Sequence, residues 1–242
     1  LANMPGDEIF NIMLDRLGDD NKETREIAGN YLQQFITKAP PDARPKVLGK
    51  LLLAGGPDQQ KQLCQTMFSQ GNPQELLVGV LTFCKSLTGA QHKTVMNALK
   101  STGDVLLKAV QPILQSPDQD MRIQGVYLLE AYADPRMMGT LVQMLKDPDW
   151  WLRIVVCDAL GRLNDQRAIP ALQQMLADPE SKWAAIDSIG SLGGEQALAA
   201  LAPLLKDPVV EVRMAAVSSI KKVKDPRVEP LLQEVTTTDP SN

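Results

Sequence analysis

Apolar residues in this chain recur at helical spacing, and the pattern is clearest between residues 147 and 177. One apolar stripe there has members three and four positions apart, and a second stripe follows it after a short polar turn. Such spacing is typical of two consecutive amphipathic helices. The first helix carries Leu152, Val155, Val156, Ala159 and Leu160, and the second carries Ile169, Leu172 and Leu176. A single pair of helices this short cannot enclose a core, so the pattern predicts that each pair stacks on its neighbours.

The pattern repeats along the chain with a period near 31 residues. Asp147 and Asp207 each precede a proline and stand six residues before an arginine, and Ser116 takes the same place one repeat earlier. A side-chain acceptor followed by proline predicts an N-cap and the first helical position, where proline's missing N–H costs nothing. The Asp-Pro-Arg turns at 134–136 and 225–227 predict the start of second helices by the same chemistry. A fixed period of this length indicates a repeat protein.

The predicted fold class is all-α: an α-α superhelix, or α-solenoid, of about seven helix pairs behind one leading helix. We expect a single array over residues 1–242. Its parts are a half repeat over 1–18, degenerate repeats over 19–55, 56–87 and 88–115, regular repeats over 116–146, 147–177, 178–206 and 207–235, and a frayed tail over 236–242. Gly125, Gly161 and Gly190 lie within or at the ends of first helices, where the missing side chain predicts close contact between helices.

The repeat skeleton resembles the HEAT-like repeats of the phycobilin-lyase type, from about residue 116 to residue 235. The residues that carry the resemblance are Asp147, Pro148, Arg153, Ala159, Leu160, Gly161, Leu172, Leu176 and Asp178. The unit that begins at Asp178 departs from the pattern, because its inter-repeat loop is two residues shorter and Lys182 stands where other units have arginine. The resemblance implies a solenoid of stacked helix pairs.

Cationic residues recur in step with the aspartates, and two interpretations of this row are open. The cations are Arg122, Arg153, Lys182 and Arg213, and the aspartates are Asp147, Asp178 and Asp207. An arginine at the same place in successive repeats can lie against the acidic loop of a neighbouring repeat, which predicts a structural ladder. The alternative is a recognition row for a ligand. We adopt the structural ladder.

Composition argues against several classes of function. A net charge of −4 and a pI near 5.1 disfavour a nucleic-acid partner held by phosphate neutralisation. The longest apolar runs are too short to span a bilayer. The chain has one histidine, His92, and lacks the His-Glu pairs that bind iron in the HEAT-like deoxyhypusine hydroxylases. We therefore predict a protein that is not an enzyme and has no metal or other cofactor.

The three cysteines are odd in number and widely spaced along the chain. Cys64 and Cys157 fall on predicted core faces, which favours reduced thiols that pack in the interior over functional thiols. Reduced thiols in turn fit the cytoplasm best.

Two groups of side chains are candidates for binding a partner protein. Trp150 and Trp151 align with partly or wholly polar positions of other repeats, so at least one is predicted near the surface, where tryptophan is a preferred interface anchor. The alternative is that both pack over the preceding loop. Leu77, Val80 and Cys84 align with mostly polar positions, which predicts an apolar patch on the inner face. A register slip in this degenerate unit explains that second pattern equally well.

The predicted function is a non-catalytic scaffold or adaptor that binds another protein, of unknown identity, on the concave face lined by second helices. We expect it in the cytoplasm of a bacterium, with neither nucleic acid nor membrane as partner. The alternative, implied by the resemblance, is a phycobilin-lyase-like subunit that handles a bilin on a phycobiliprotein. The wide apolar arc of the helix predicted at 5–17 further predicts that the chain is a fragment of a longer protein.

Overall fold

The computed structural model describes residues 7–17, 19–36, 44–69, 72–132 and 134–238. These residues form fifteen α-helices joined by turns and short 3-10 segments, and none of them lies in a β-strand. In chain order the helices are α1 (Asp7–Arg16), α2 (Lys22–Ile36), α3 (Arg44–Ala54), α4 (Pro57–Ser69), α5 (Pro73–Cys84), α6 (Gly89–Leu99), α7 (Asp104–Leu114), α8 (Gln119–Tyr132), α9 (Met138–Met144), α10 (Trp150–Arg162), α11 (Ile169–Met175), α12 (Lys182–Leu192), α13 (Gly194–Leu201), α14 (Val210–Ile220) and α15 (Val228–Thr238). One leading helix and seven successive pairs confirm the predicted fold class.

The polypeptide divides into two compact units, Leu1–Tyr132 and Ala133–Asn242. The predicted repeat boundaries and the single array over residues 1–242 stay predictions. Of the tail that was predicted to fray, residues 236–238 belong to the last turn of α15, and residues 239–242 lie outside the described residues.

The aspartates that precede proline act differently at first and second helices. Asp147 does not cap α10: its carboxylate accepts a hydrogen bond from the amide of Asp149 at 3.0 Å, and Asp149 caps the helix by accepting from the amide of Leu152 at 2.9 Å. The predicted N-cap is therefore two residues too early at this helix. At the second helices the prediction is confirmed for Asp134, which accepts from the amide of Arg136 at 2.8 Å and caps the 3-10 segment Pro135–Met137 that leads into α9. Asp225 accepts from the amide of Arg227 at 2.9 Å, but α15 begins only at Val228.

In the first unit, the second helices α3 and α5 approach each other closely at two glycines. Gly49 of α3 faces the ring of Phe83, and Gly79 of α5 faces the ring of Pro45. A β-carbon at either glycine would overlap the facing ring, so the two glycines set the distance between these helices. Helix α5 also packs against α7, which gives it a second neighbouring helix of the same layer.

In the second unit, the first helices α10, α12 and α14 form one layer. Gly161 near the end of α10 lies against Ser188 of α12, where an added β-carbon would be 2.9 Å from the serine Cβ. The same contact recurs one repeat later between Gly190 and Ser219, so α14 continues the layer in the same register. Gly125 makes a comparable contact with α7 in the first unit. The predicted role of these three glycines, close contact between helices, is confirmed.

Candidate functional site

The recurring arginines hold the loops that lead into the first helices. In four repeats Nη1 of the arginine donates to the backbone carbonyl of the residue six positions earlier. These bonds join Arg25 to Asp19 at 2.7 Å, Arg122 to Ser116 at 2.8 Å, Arg153 to Asp147 at 3.0 Å and Arg213 to Asp207 at 3.0 Å. Each of these arginines thus bonds its own loop, a contact that the sequence pattern did not predict, since it predicted the loop of a neighbour.

One of these arginines also reaches the next repeat, as the predicted ladder required. The Arg153 guanidinium bonds the Asp178 carboxylate, with Nε–Oδ2 and Nη2–Oδ1 distances of 2.8 and 3.4 Å. The two side chains are 17% and 20% exposed. Their hydrogen bond lowers the pKa of Asp178 and raises that of Arg153. Because this contact lies near the start of α10 and the Gly161 contact near its end, α10 and α12 run parallel.

The repeat that begins at Asp178 has a different loop. The hydroxyl of Ser181 and the amide of Glu180 both donate to the Asp178 carboxylate, and the carbonyl of Asp178 accepts from the amide of Lys182 at 2.9 Å. Helix α12 starts at Lys182, the residue that takes the place of the arginine in the other repeats. The shorter loop is closed by these local bonds, while longer loops are closed by an arginine.

The apolar patch predicted on α5 is wrong. Leu77 and Val80 are fully buried and Cys84 is 1% exposed. All three lie in the core because α5 has α3 on one side and α7 on the other. Burial also raises the pKa of the Cys84 thiol to about 12. The exposed face of α5 carries Val78 instead.

The two adjacent tryptophans lie at the surface, as predicted for at least one of them. Trp150 and Trp151 occupy the first turn of α10 and are 49% and 45% exposed. Their rings meet edge to face, with a centroid distance of 5.7 Å and an interplanar angle of 74°. The two rings therefore pack against each other and together expose a large aromatic surface to solvent.

A third exposed tryptophan was missed by the sequence interpretation. Trp183 lies in the first turn of α12 and is 45% exposed, and Met214 in the first turns of α14 is 67% exposed. Trp183 directly follows Lys182, and Met214 directly follows Arg213, so aligning the repeats on their cations places the two exposed side chains at the same repeat position. Since the helices are stacked in register, these side chains lie at the same end of the layer as Trp150. We call Trp150, Trp151, Trp183, Val210 and Met214 the tryptophan surface.

Comparison with known proteins explains this architecture. The family model for HEAT repeats matches residues 107–183 and 177–242, which together are more than half of the chain. The chain belongs to the HEAT-repeat family. No curated protein sequence matches it.

Several solved structures match this HEAT-repeat chain at low sequence identity. A mutant of Kap121p matches with a TM-score of 0.51 and 13% identity, over 96% of this chain and 35% of Kap121p. An engineered protein matches with a TM-score of 0.47 and 16% identity, over 92% and 97% of the two chains. Human deoxyhypusine hydroxylase matches with a TM-score of 0.43 and 15% identity, over 88% and 95%. At this identity the likeness to Kap121p is one of fold.

The side chains of His92, Cys64 and Cys157 pack between or within the helices of the HEAT repeats. His92 Nε2 lies 2.6 Å from Gln124 Oε1, and its ring meets Tyr127 edge to face, so the imidazole joins α6 to α8. Cys64 and Cys157 are fully buried, and burial raises their thiol pKa values to about 11 and about 12. Among the described residues no three His, Cys, Asp or Glu side chains are grouped to hold a metal ion. No described helix is both long and apolar enough to cross a bilayer.

Proposed function

We propose that this HEAT-repeat chain is a non-catalytic protein-interaction scaffold, and that the tryptophan surface is its principal contact with a partner protein. HEAT repeats generally mediate interactions between proteins. The observation that carries the proposal is the exposure of three tryptophans on the first turns of two neighbouring first helices. Buried aromatic side chains supply much of the binding energy of protein interfaces, and tryptophan is the most enriched of them at hot spots.

The loops beneath the tryptophan surface are held rigid, which favours binding. Nη1 of Arg153 donates to the carbonyls of Asp147 and Pro148, directly before the tryptophan pair. Arg213 holds the loop before Val210 in the same way. A partner that docks on a preformed surface loses less conformational entropy than one that must order it. The structural ladder therefore supports the proposed binding surface without itself contacting the partner.

The proposed main contact with the partner lies on the first helices, whereas the sequence pattern predicted it on the second helices. Solvent-exposed aromatic side chains are the physical ground for this choice, since burying them yields hydrophobic and packing energy. The concave second-helix face stays a prediction, and so does the alternative of a bilin-lyase subunit, which rests on the repeat resemblance alone.

The test is affinity capture with the purified chain as bait, followed by titration of the captured partner against single variants. Trp151→Ala and Trp183→Ala are expected to weaken binding about 30-fold each, which corresponds to about 2 kcal/mol for a hot-spot tryptophan. Lys222→Ala, an exposed change elsewhere on the unit, is the control and should bind as the unchanged chain does. If the tryptophan variants bind normally and melt at lower temperature, the tryptophans serve packing and the proposal is wrong.

A further inference from the structure

We propose that the cleft between α13 and α15 is a second binding site, which accepts an apolar side chain flanked by lysine or arginine from a partner polypeptide. The cleft lies on second helices, while the tryptophan surface lies on first helices. The two sites are therefore independent, and either can fail without the other.

The floor of the cleft is apolar and its volume is about 390 Å³. Leu198, Ala199 and Ala202 line it from α13 and the turn behind it, and Pro230 and Leu231 line it from α15. The alanines leave the space open, because a methyl group fills little of the gap between two helices. A volume in this range suits one large apolar side chain with its neighbouring groups, and the mouth opens to solvent. The occupant that fits is a side chain borne by a larger molecule.

The rim of the cleft is acidic. Glu195 stands at its α13 edge and Glu234 at its α15 edge. The helical segments Gly194–Leu201 and Val228–Thr238 contain three glutamates in all and neither lysine nor arginine. The charge of these two helices is thus uniformly negative, which attracts a cationic partner.

The one guanidinium at the rim is already bound by carboxylates. Arg227 donates from Nε and Nη2 to Asp225 at 2.9 and 2.7 Å, and from Nη1 to Glu195 at 3.0 Å. This guanidinium holds the pKa of Asp225 at about 2, so the carboxylate stays ionised at neutral pH. The charged residues that line the cleft, Glu195, Glu234 and Arg227, therefore carry two negative charges and one positive charge, and the rim keeps a net negative charge.

The repeat pattern shows that the negative rim is a local departure. The position two residues after the turn aspartate is occupied by Arg136, Arg167 and Arg227 in three repeats, and each arginine bonds its own aspartate. In the repeat between the last two, the register that joins Gly161 to Gly190 puts Gly194 in the place of Asp165 and Gln196 in the place of Arg167. The repeat that borders the cleft therefore lacks the Asp-Arg pair of its turn, and Glu195 accepts from the guanidinium of Arg227 in the next turn.

The experiment uses the full chain, labelled with ¹⁵N, and three short capped probes. Acetyl-Lys-Leu-Lys-amide is expected to give saturable amide shifts at Ala199, Ala202 and Leu231. Acetyl-Glu-Leu-Glu-amide should bind at least about tenfold more weakly, because two repulsive charges replace two attractive ones. Acetyl-Lys-Gly-Lys-amide should lose the shifts on the floor of the cleft. The proposal is overturned if the acidic probe binds equally well, or if no probe gives saturable shifts at the cleft.

Variants separate the contributions of the rim and the floor. Glu195→Gln is expected to weaken the basic probe about threefold to fivefold, the effect of one exposed ion pair. Ala199→Leu fills the cleft from an exposed position and should abolish the floor shifts while the rest of the amide spectrum stays unchanged. Trp151→Ala is the matched control and should leave the affinity for the basic probe unaltered. If Trp151→Ala weakens the probe as strongly as Glu195→Gln does, the probe binds at the tryptophan surface and the cleft is not a site.

Discussion

Removal of the Arg153 side chain should destabilise the second unit without altering the tryptophan surface chemically. Alanine at this position deletes the pair with Asp178 and the hydrogen bonds to two loop carbonyls. The loop that loses its support is the one that precedes α10. Asp178 keeps two other donors, the hydroxyl of Ser181 and the amide of Glu180, so its carboxylate is not left without a partner.

The loss of stability expected for Arg153→Ala lies between two limits. An exposed ion pair contributes about 1 kcal/mol or less, and breaking a fully buried one costs about 3–5 kcal/mol. Arg153 and Asp178 are 17% and 20% exposed, so water screens the pair partly. The Asp178 carboxylate keeps two hydrogen-bond donors in the alanine variant, so it is not left as a buried charge without a partner. We therefore expect Arg153→Ala to lower the free energy of unfolding by about 2–3 kcal/mol. In a chain of this size that is roughly a 4–12 °C fall in melting temperature.

A double-mutant cycle isolates the ion pair from the loop bonds. Urea unfolding of Arg153→Ala, Asp178→Asn and the double variant should give a coupling free energy of about 1–2 kcal/mol. A coupling below about 0.3 kcal/mol would show that the pair contributes nothing and that the ladder acts through the carbonyl bonds alone. Normal stability combined with lost partner binding would instead identify Arg153 as a recognition residue.

The same pair predicts a dependence on pH, with a defined sign. Arg153 lowers the pKa of Asp178 below its ordinary value of 3.8. A carboxyl with a lowered pKa in the folded state contributes stability that is present above the unfolded pKa and is lost as pH falls through the folded pKa. The unfolding free energy of the unchanged chain should therefore fall below about pH 4 more steeply than that of Arg153→Ala.

The remaining predictions concern packing and the thiols. Gly161→Ala should lower the free energy of unfolding by about 1–3 kcal/mol, because the new β-carbon would lie 2.9 and 3.0 Å from the Cβ and Cα of Ser188. The control in urea unfolding is Gly139→Ala, where an added β-carbon meets nothing within 4 Å. This control should gain up to about 1 kcal/mol of stability. Equal effects of the two changes would contradict the packing assigned to α10 and α12. Cys157, fully buried and with its pKa raised to about 12, should react with a thiol reagent at pH 8 only as the chain unfolds, and rapid reaction in the folded state would refute its burial.

The amino-acid sequence alone determined the helix type and the order of the helix pairs. Apolar residues three and four positions apart indicate an amphipathic helix, and this local geometry does not depend on how the neighbouring helices are arranged. The small residues at the contacts between first helices were also predictable from the sequence, because Gly161 and Gly190 recur in step with the repeat. The recurring aspartates and arginines were also found, and the bond from Arg153 to Asp178 of the next repeat was predicted, whereas the bonds from the arginines to their own loops were not.

Which apolar side chains face water was decided only by the tertiary structure. Leu77 and Trp183 are both large apolar residues on repeat helices, yet one is fully buried and the other is 45% exposed. Each helix has a neighbour on both sides, α3 and α7 for α5 and α10 and α14 for α12, so the exposure of a given position depends on which side chains those neighbours place next to it. In a stacked repeat, burial at a given position depends on the size and distance of residues in adjacent repeats, about 30 positions away along the chain. A periodic pattern records the spacing of apolar side chains, but only the packing of neighbouring helices determines whether water reaches them.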